Sequence, residues 1–222
     1  TDARREFVAI EWNTAALGQA SELALTQGRL ELRHCALRGM AAGVRCEWGG
    51  ALALQFDNVL HLGPGPLVRL NRMPRLDEPI QISLAHATLR AAASLLTLRY
   101  AAAEAEPGRI AVTANDCVLA LDPQGSLLHF LGTQPPARLL AALEWHGQGS
   151  VLAPPGVLAA WQTPGGSTEP VEAARLRIAG LVKSDVGFAG APRDAFAASR
   201  AVRWQVPLRS PDPPGIDETR LP

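Results

Sequence analysis

The sequence predicts an all-β fold, a right-handed parallel β-helix of about six coils, each with three short strands, and an irregular C-terminal cap. The first observation behind this prediction is a four-residue phrase that ends in leucine and recurs at intervals of 20 to 33 residues. The second is the pair of short alternating apolar runs that flank the phrase. Repeats of this length indicate a solenoid, because each coil buries its apolar side chains by stacking on the next coil.

The phrase marks a corner of each coil. Its four clear copies are residues 34–37, 57–60, 86–89 and 116–119. A fainter copy ends at Leu17, and another ends at Leu152. Asp, Asn and Gly recur around these positions, and they favour turns for conformational reasons. The leucine that closes each phrase is expected to point into the core.

The apolar runs on either side of the phrase are expected to be the first and third strands of each coil. The runs before the phrase are residues 7–12, 30–32, 52–56, 80–84, 110–114 and 140–145. The runs after it are residues 23–25, 44–46, 67–70, 95–98, 127–130 and 157–161. Alternation with a period of two over such short runs is typical of strands with one buried face.

The composition suits a core of small, stacked side chains. Hydrophobic residues make up 47 % of the chain, but aromatic residues only 5 %. The 21 basic and 21 acidic side chains cancel, which removes the electrostatic basis for a nucleic-acid partner or an anionic membrane surface. No apolar run reaches the roughly 18 residues of a membrane-spanning helix, so no membrane insertion of this segment is predicted.

The chain is divided into three parts on the basis of where the phrase occurs. Residues 1–163 are assigned to the β-helix, residues 164–210 to C-terminal capping strands, and residues 211–222 to an extended proline-rich tail. A cap is expected because the end strands of a stack have unpaired edges. The chain begins at Thr1, and we expect it to be a domain of a longer protein, with any signal peptide or anchor outside it.

The repeat resembles that of pectate-lyase-like β-helix proteins, in which a turn often holds asparagine in the left-handed conformation. Asn58 takes the second place of its phrase, and the other copies have no asparagine there. The short coils, the turn at 147–149 and the Pro-Pro-Gly-Ile-Asp stretch at 213–217 resemble the extracytoplasmic regions of some bacterial serine/threonine protein kinases. This resemblance implies an extracytoplasmic or cell-envelope location. It implies no kinase activity, since the chain has no HRD or DFG motif.

The three cysteines, Cys35, Cys46 and Cys117, have neither CxxC spacing nor the spacing of a metal finger. They are expected to be buried apolar thiols. Neither a metal nor a cofactor is predicted from them or from any other motif.

Candidate ligand-binding residues come from the first place of the phrase. Aligned on the leucine, His34, Asp57, His86 and Asp116 form an alternating ladder that faces solvent, with successive side chains about 4.8 Å apart. Imidazole and carboxylate groups can bind a polar ligand or a cation. The same row can equally be a solvated corner where opposite charges pair.

Two further sets of residues are candidates for contacts with a carbohydrate partner. Arg69, Arg72 and Arg75, with Arg99 on the next coil, form a basic strip that is either a solvated face or a contact for an acidic glycan. The five tryptophans are expected to cap the ends of the stack or to cover leucines, and the alternative is a platform for sugar rings.

Two functions from different classes remain open. The first is a non-catalytic domain that recognises a ligand, a glycan or a protein, or acts as a scaffold, within a larger envelope or kinase-linked protein. The alternative is a polysaccharide-processing lyase or hydrolase of the pectate-lyase-like fold. Its carboxylates would be Asp57 and Asp116, two coils apart at about 9.6 Å. No catalytic residue is assigned.

Overall fold

The computed structural model describes residues 8–13, 27–39, 41–47, 49–101, 106–172, 176, 178–191, 196–204 and 214–221. These residues form a parallel β-solenoid with three faces, which confirms the predicted fold class. Each face is a stack of short strands that follow one another at successive turns of the chain. We call them the first, second and third face, in the order in which each coil crosses them.

The first and second faces share two long strands that bend at a corner. The first face holds the first halves of β2 (Gln27–Arg38) and β4 (Ala51–Leu62), and then β6 (Ile80–Ala85), β9 (Ile110–Asn115) and β12 (Leu143–Gln148). The second face holds the second halves of β2 and β4, and then β7 (Thr88–Ala92), β10 (Val118–Leu121), β13 (Ser150–Leu152) and β16 (Leu181–Lys183). All neighbours on these faces are parallel.

The third face closes each coil. Its strands are β1 (Val8–Asn13), β3 (Ala42–Glu47), β5 (Val68–Leu70), β8 (Leu96–Tyr100), β11 (Ser126–Gly132), β14 (Val157–Gln162) and the antiparallel β15 (Thr168–Pro170). The remaining elements are α1 (Ala137–Ala142), the hairpin of β17 (Val186–Phe188) and β18 (Ala201–Trp204), and single 3₁₀ turns at Phe196–Ser199 and Glu218–Arg220. The predicted third strands of the coils that begin at β2, β4, β6, β9 and β12 all lie on this face.

The number of coils is smaller than predicted. Among the described residues, five strands stack on the first face, and about four turns of the chain separate the first from the last, whereas six coils were expected. The N-terminal coil accounts for part of the difference, because β1 pairs with β3 through Ile10 and Val44 and so belongs to the third face. Residues 7–12 were predicted to be a first-face strand, which is wrong. The predicted strand at residues 23–25 lies outside the described residues.

The C-terminal coil also departs from its predicted boundaries. Residues 140–145 were expected to form one strand, but α1 occupies Ala137–Ala142 and β12 begins only at Leu143. Leu139 and Leu140 of the helix are buried, so the helix covers apolar surface while it leads into the strand. The apolar pattern of this stretch suits either structure, which is a known ambiguity of short runs.

The corner between the first and second faces is the most regular feature of the fold. The residue at the corner has a positive φ in every coil, with values of 49° at His34, 52° at Asn58, 49° at His86, 51° at Asp116 and 67° at Gly149. Strand pairing on both sides of the corner aligns these five residues. Asn, Asp, His and Gly tolerate this left-handed conformation better than other residues. We call these five residues the corner column.

The corner column corrects the predicted alignment of one coil. Asp57 was aligned with His34 and His86, but the strand pairing matches it to Arg33 and Ala85 instead. Its neighbour Asn58 occupies the corner. A shift of one residue reverses the direction of every following side chain in a strand. Leu60 therefore faces outward, where it packs with Leu62 and Ile216, and His61 takes its place inside.

The core fills the space between the three faces. On the second face, Leu37, Leu89, Leu119 and Leu152 stack in one inward column, and His61 takes the position between Leu37 and Leu89. The column ends at β16, where the paired residue is the exposed Lys183. Leucine, valine and isoleucine dominate the other inward columns as well. The chain thus buries one continuous apolar core, as stacked repeats require.

The C-terminal residues cover the end and one side of the stack. Ile178 and Leu181 pack against the core next to β12 and β13. The hairpin of β17 and β18 covers the outer side of the second face, where Arg90 is 9 % exposed. The Arg90 guanidinium lies 4.1 Å from the centroid of the Phe188 ring and donates to the carbonyl oxygens of Gly190 and Ala198 at 2.6 and 3.0 Å.

Candidate functional site

The structure brings together three of the four predicted ligand-binding residues. His34, His86 and Asp116 lie in the corner column, whereas Asp57 lies one residue before it, on the outer side of the first face. Asn58 is the column residue that the phrase alignment missed. Its signal was present in the sequence, because asparagine is the residue type that the left-handed corner favours.

The corner column is covered by the C-terminal segment of the same chain, residues 214–221. Pro214, Gly215 and Ile216 of this segment are buried. Gly215 donates its backbone N–H to the Asp116 carbonyl at 2.7 Å, and Asp217 donates its own to Asn58 Oδ1 at 2.7 Å. The strap therefore covers part of the predicted ladder and leaves His34, His86 and Asp116 only partly exposed. We call residues 214–221 the C-terminal strap.

Both ring nitrogens of His34 face donors of the protein itself. Its Nδ1 lies 3.3 Å from Asn58 Nδ2, and its Nε2 lies 2.8 Å from Arg220 Nη2. His86 contributes to the electrostatic environment of Asp217, although hydrogen bonds from Thr219 are the main reason why the pKa of Asp217 is lowered. A neutral imidazole accepts at only one ring nitrogen, so His34 accepts from either Asn58 or Arg220.

The carboxylates that the enzyme hypothesis pairs do not share an orientation. Asp57 lies on the first face, and Asp116 lies at the corner under the strap. The Asp116 Oδ1 atom is buried and has no hydrogen-bond partner among the described residues. Within the described ranges, no group of three or more His, Cys, Asp and Glu side chains is arranged to hold a metal ion.

A groove at the C-terminal edge of the third face gathers three of the four arginines of the predicted basic strip. It encloses about 960 Å³ and is lined by residues 71–75 after β5 and by the ends of β8, β11 and β14. Arg72, Arg75 and Arg99 contribute to its wall, whereas Arg69 lies outside it and donates to the Ala41 carbonyl at 3.2 Å. We call this feature the arginine groove.

The arginine groove carries a net positive charge. None of the described residues that line it is acidic. A neighbouring cavity of about 580 Å³ shares the three arginines and also includes Glu47 and Glu78. Glu78 lies 2.7 Å from Arg72 Nη2, which neutralises one of the three positive charges. Arg75 and Arg99 are exposed, and neither guanidinium has an ion-pair partner in the part of the chain that the structure describes.

The apolar wall of the arginine groove includes Met73, Tyr100 and Leu131. Tyr100 is 7 % exposed, and its hydroxyl donates to the Gln134 carbonyl. Burial raises the pKa of Tyr100 to about 12, so it stays neutral at physiological pH. The groove therefore combines two unneutralised guanidinium groups with a rigid, uncharged wall.

The three cysteines provide no reactive site. All three are free thiols, and Cys46 and Cys117 are buried. Burial raises the pKa of Cys46 and of Cys117 to about 12, and it also raises the pKa of Cys35. A thiol with a raised pKa is a poor nucleophile and a poor metal ligand at neutral pH, because the thiolate is the reactive form.

His61 is an unexpected titratable group inside the leucine column. It is 0 % exposed, and its Nε2 lies 2.9 Å from the Gly65 carbonyl oxygen. Its Nδ1 has no hydrogen-bond partner among the described residues. Burial lowers the pKa of His61, and the hydrogen bond to Gly65 opposes that effect only in part.

We expect His61 to make the fold less stable in mild acid. The unfolded chain binds a proton at His61 below about pH 6.5, and the folded chain resists that proton because its pKa is lower. Stability is therefore lost as pH falls below about 6.5. His61→Leu would complete the leucine column at the cost of one hydrogen bond to Gly65, about 1 kcal/mol at neutral pH.

The measurement for His61 is the urea midpoint at pH 7.5 and at pH 5.0 in both proteins. The wild type should lose more stability than His61→Leu between these two values. All other ionisable groups are the same in both proteins, so their contributions cancel in the comparison. Equal losses in the two proteins would show that His61 is not the group that senses the acid.

No helix in the described part of the chain has the length and apolar character that crossing a membrane requires. No protein-family model matches the chain, and no curated protein or solved structure matches it significantly. A functional assignment therefore depends on the structure of the chain itself. That structure is a parallel β-solenoid with a strap over its corner column and an arginine groove at the edge of its third face.

Proposed function

We propose that this chain is a non-catalytic recognition domain that binds an acidic glycan in the arginine groove. The observation that carries the proposal is the placement of Arg72, Arg75 and Arg99 in one groove with no acidic residue among its described lining residues. Arginine recognises carboxylates by paired, charge-assisted hydrogen bonds. Arg75 and Arg99 offer unpaired guanidinium groups for that purpose.

The repetitive architecture supports a repetitive ligand. The groove draws its wall from four successive crossings of the third-face edge, after β5, β8, β11 and β14. Successive coils of a parallel stack are about 4.8 Å apart. A solenoid therefore presents side chains at regular intervals, and the arginines of the first two crossings can meet successive charges of an acidic polymer.

The wider context is part of the same proposal. A position within a larger envelope or kinase-linked protein, outside the cytoplasm, is supported by the sequence resemblance described above. Binding of an acidic surface polymer is compatible with that location. The alternative function, a polysaccharide lyase or hydrolase, has no specific support from the positions of Asp57 and Asp116, so we do not propose it.

The proposal predicts selective binding of uronate oligomers. Isothermal titration calorimetry with an oligogalacturonate should give binding, and a neutral maltooligosaccharide of the same length should give none. The affinity should fall with added salt, because the contacts are charged and solvent-exposed. Arg75→Ala combined with Arg99→Ala should weaken binding by about tenfold or more, which corresponds to about 1.4 kcal/mol.

Arg138→Ala is the matched control. Arg138 is an exposed arginine on α1 and is not part of the groove, so its loss removes one positive charge elsewhere and should leave binding unchanged. Equal binding of the charged and neutral oligomers, or equal loss in Arg138→Ala and in the groove variant, would contradict the proposal. Release of shortened products from the oligogalacturonate would instead support the enzyme alternative.

A further inference from the structure

The C-terminal strap is bound in the way that a protein binds an extended peptide. Three consecutive residues of the strap are held by three successive coils. Gly215 donates its N–H to the Asp116 carbonyl at 2.7 Å, and Ile216 donates its own to Thr88 Oγ1 at 3.0 Å. At Asp217, Asn58 Oδ1 accepts the backbone N–H at 2.7 Å and Asn58 Nδ2 donates to the carbonyl at 3.0 Å.

Asn58 is built for this task. It is 0 % exposed and is held at φ 52° by the corner, so its amide group is fixed in direction. Its donor and its acceptor both engage the backbone of a single strap residue. A paired contact of this kind recognises an extended main chain irrespective of the side chain, in the manner of main-chain recognition by peptide-binding domains.

Side-chain selectivity comes from the positions on either side of Asn58. Ile216 is 5 % exposed and packs with Leu60 and Leu62 on the outer side of the second face. A side chain at residue 215 would meet Thr88 Oγ1 at 2.6 Å and Val118 Cγ2 at 3.0 Å, so a glycine is required there. The surface therefore selects a glycine followed by an aliphatic residue.

The acidic residue of the strap and the residues that follow complete the fit. Asp217 accepts hydrogen bonds from the backbone N–H and the hydroxyl of Thr219, at 3.1 and 2.6 Å, which starts the short 3₁₀ turn. That turn places Arg220 Nη2 2.8 Å from His34 Nε2. The binding surface thus extends over four coils, from Asp116 to His34.

We propose that the corner column and the adjoining outer surface of the second face are a peptide-binding site, with the C-terminal strap as its intramolecular occupant. The ligand in trans is an extended peptide that carries glycine, an aliphatic residue and aspartate in succession. Every contact that holds residues 215–217 is made to a group that a separate peptide presents equally well. This site is distinct from the arginine groove and does not depend on the function proposed for that groove.

The strap sets how tightly a separate peptide binds. A tethered segment competes at an effective concentration of about millimolar, so a peptide in trans binds weakly while the strap is in place. Weakening the strap exposes the site. Docking of the strap and binding of a partner peptide are therefore mutually exclusive, so each opposes the other.

The experiment uses the full chain with the substitution Ile216→Asp and a fluorescent synthetic peptide with the sequence of residues 214–222. Fluorescence anisotropy should show one-to-one binding of the peptide to Ile216→Asp and binding about tenfold weaker or more to the wild type. A peptide with aspartate at the isoleucine position is the control and should not bind. Ile216→Ala, which only shortens the anchor, is the second variant if Ile216→Asp fails to fold.

A substitution in the site itself separates recognition from loss of structure. Asn58→Asp keeps the shape and tolerates the left-handed corner, but it replaces the donor to the Asp217 carbonyl with an acceptor. Added to Ile216→Asp, it should weaken peptide binding by about tenfold or more. Arg138→Ala in the same background should leave peptide binding unchanged, because Arg138 is exposed on α1 and lies outside both sites. If a folded Ile216→Asp or Ile216→Ala chain binds the peptide no better than the wild type, the strap is only a structural cover and the proposal fails.

Discussion

Leu89→Asp is expected to unfold the domain. Leu89 is 0 % exposed and stacks between His61 and Leu119 in the inward column of the second face. An unpaired carboxylate at this point costs several kcal/mol, about 3–5 on the scale of other uncompensated buried charges. Natural domains have only about 5–15 kcal/mol of stability in total. We expect loss of the far-ultraviolet circular dichroism signal of the strands, or a melting temperature lowered by many degrees.

Gln81→Asp is the matched control for Leu89→Asp. Gln81 lies in the same coil, on the exposed side of the first face, so the same carboxylate stays in water and should change the melting temperature little. A wild-type melting temperature for Leu89→Asp would refute the register that places Leu89 inside the stack.

Leu60→Asp tests the corrected register more finely. The leucine phrase predicts that Leu60 and Leu89 are equivalent, so both substitutions should unfold the chain. In the structure, Leu60 faces outward beneath Ile216. A carboxylate there reaches water if the C-terminal strap moves away, which is cheaper than unfolding the stack. Leu60→Asp should therefore keep its strand signal and be clearly more stable than Leu89→Asp.

Trp145→Ala is expected to have the second largest effect. Trp145 is 1 % exposed on β12, the last strand of the first face, next to Ile178 of the C-terminal cap. Removing a buried tryptophan leaves a large cavity and costs about 3–5 kcal/mol. The free energy of unfolding, measured in urea, should fall by that amount.

Trp145→Phe is the informative companion. The Trp145 Nε1 atom is buried and has no hydrogen-bond partner among the described residues. Phenylalanine loses a small part of the apolar volume, which destabilises the fold. It also removes the unsatisfied donor, which stabilises the fold, so the two effects oppose each other. We expect a loss well below that of Trp145→Ala. If the two substitutions cost the same, packing at the end of the stack is not what Trp145 contributes.

The third-face strands show how much of the fold a local sequence pattern predicts. The runs at residues 44–46, 67–70, 95–98, 127–130 and 157–161 match β3, β5, β8, β11 and β14. Each run is short and rich in apolar residues, as a strand with a buried face requires. Residues 7–12 have the same character, but the pattern does not say which of the three faces they join. That depends on which strand they pair with, and β1 pairs with β3.

The candidate site shows which side-chain positions a local sequence pattern does not predict. The types of residue in the ladder predicted a corner, and His34, His86 and Asp116 are indeed at that corner. The alignment on leucine misplaced Asp57 by one residue, because the inward position of that coil is taken by His61 and not by a leucine. Nothing in the phrase indicates that His61 replaces a leucine in the core. The burial of His61 depends on the Gly65 carbonyl, which accepts a hydrogen bond from the His61 ring.

The periodic placement of leucine and of turn-forming residues was enough to predict that this chain stacks as a parallel solenoid. The apolar pattern within each repeat identifies the side chains that must be buried. The contacts between distant parts of the chain came only from the folded structure. The strap at 214–221 lies more than 150 positions from Asn58 along the chain, and the arginine groove needs four coils to be in register. Such contacts depend on the exact pairing of strands, and a shift of one residue in that pairing changes which side chains meet.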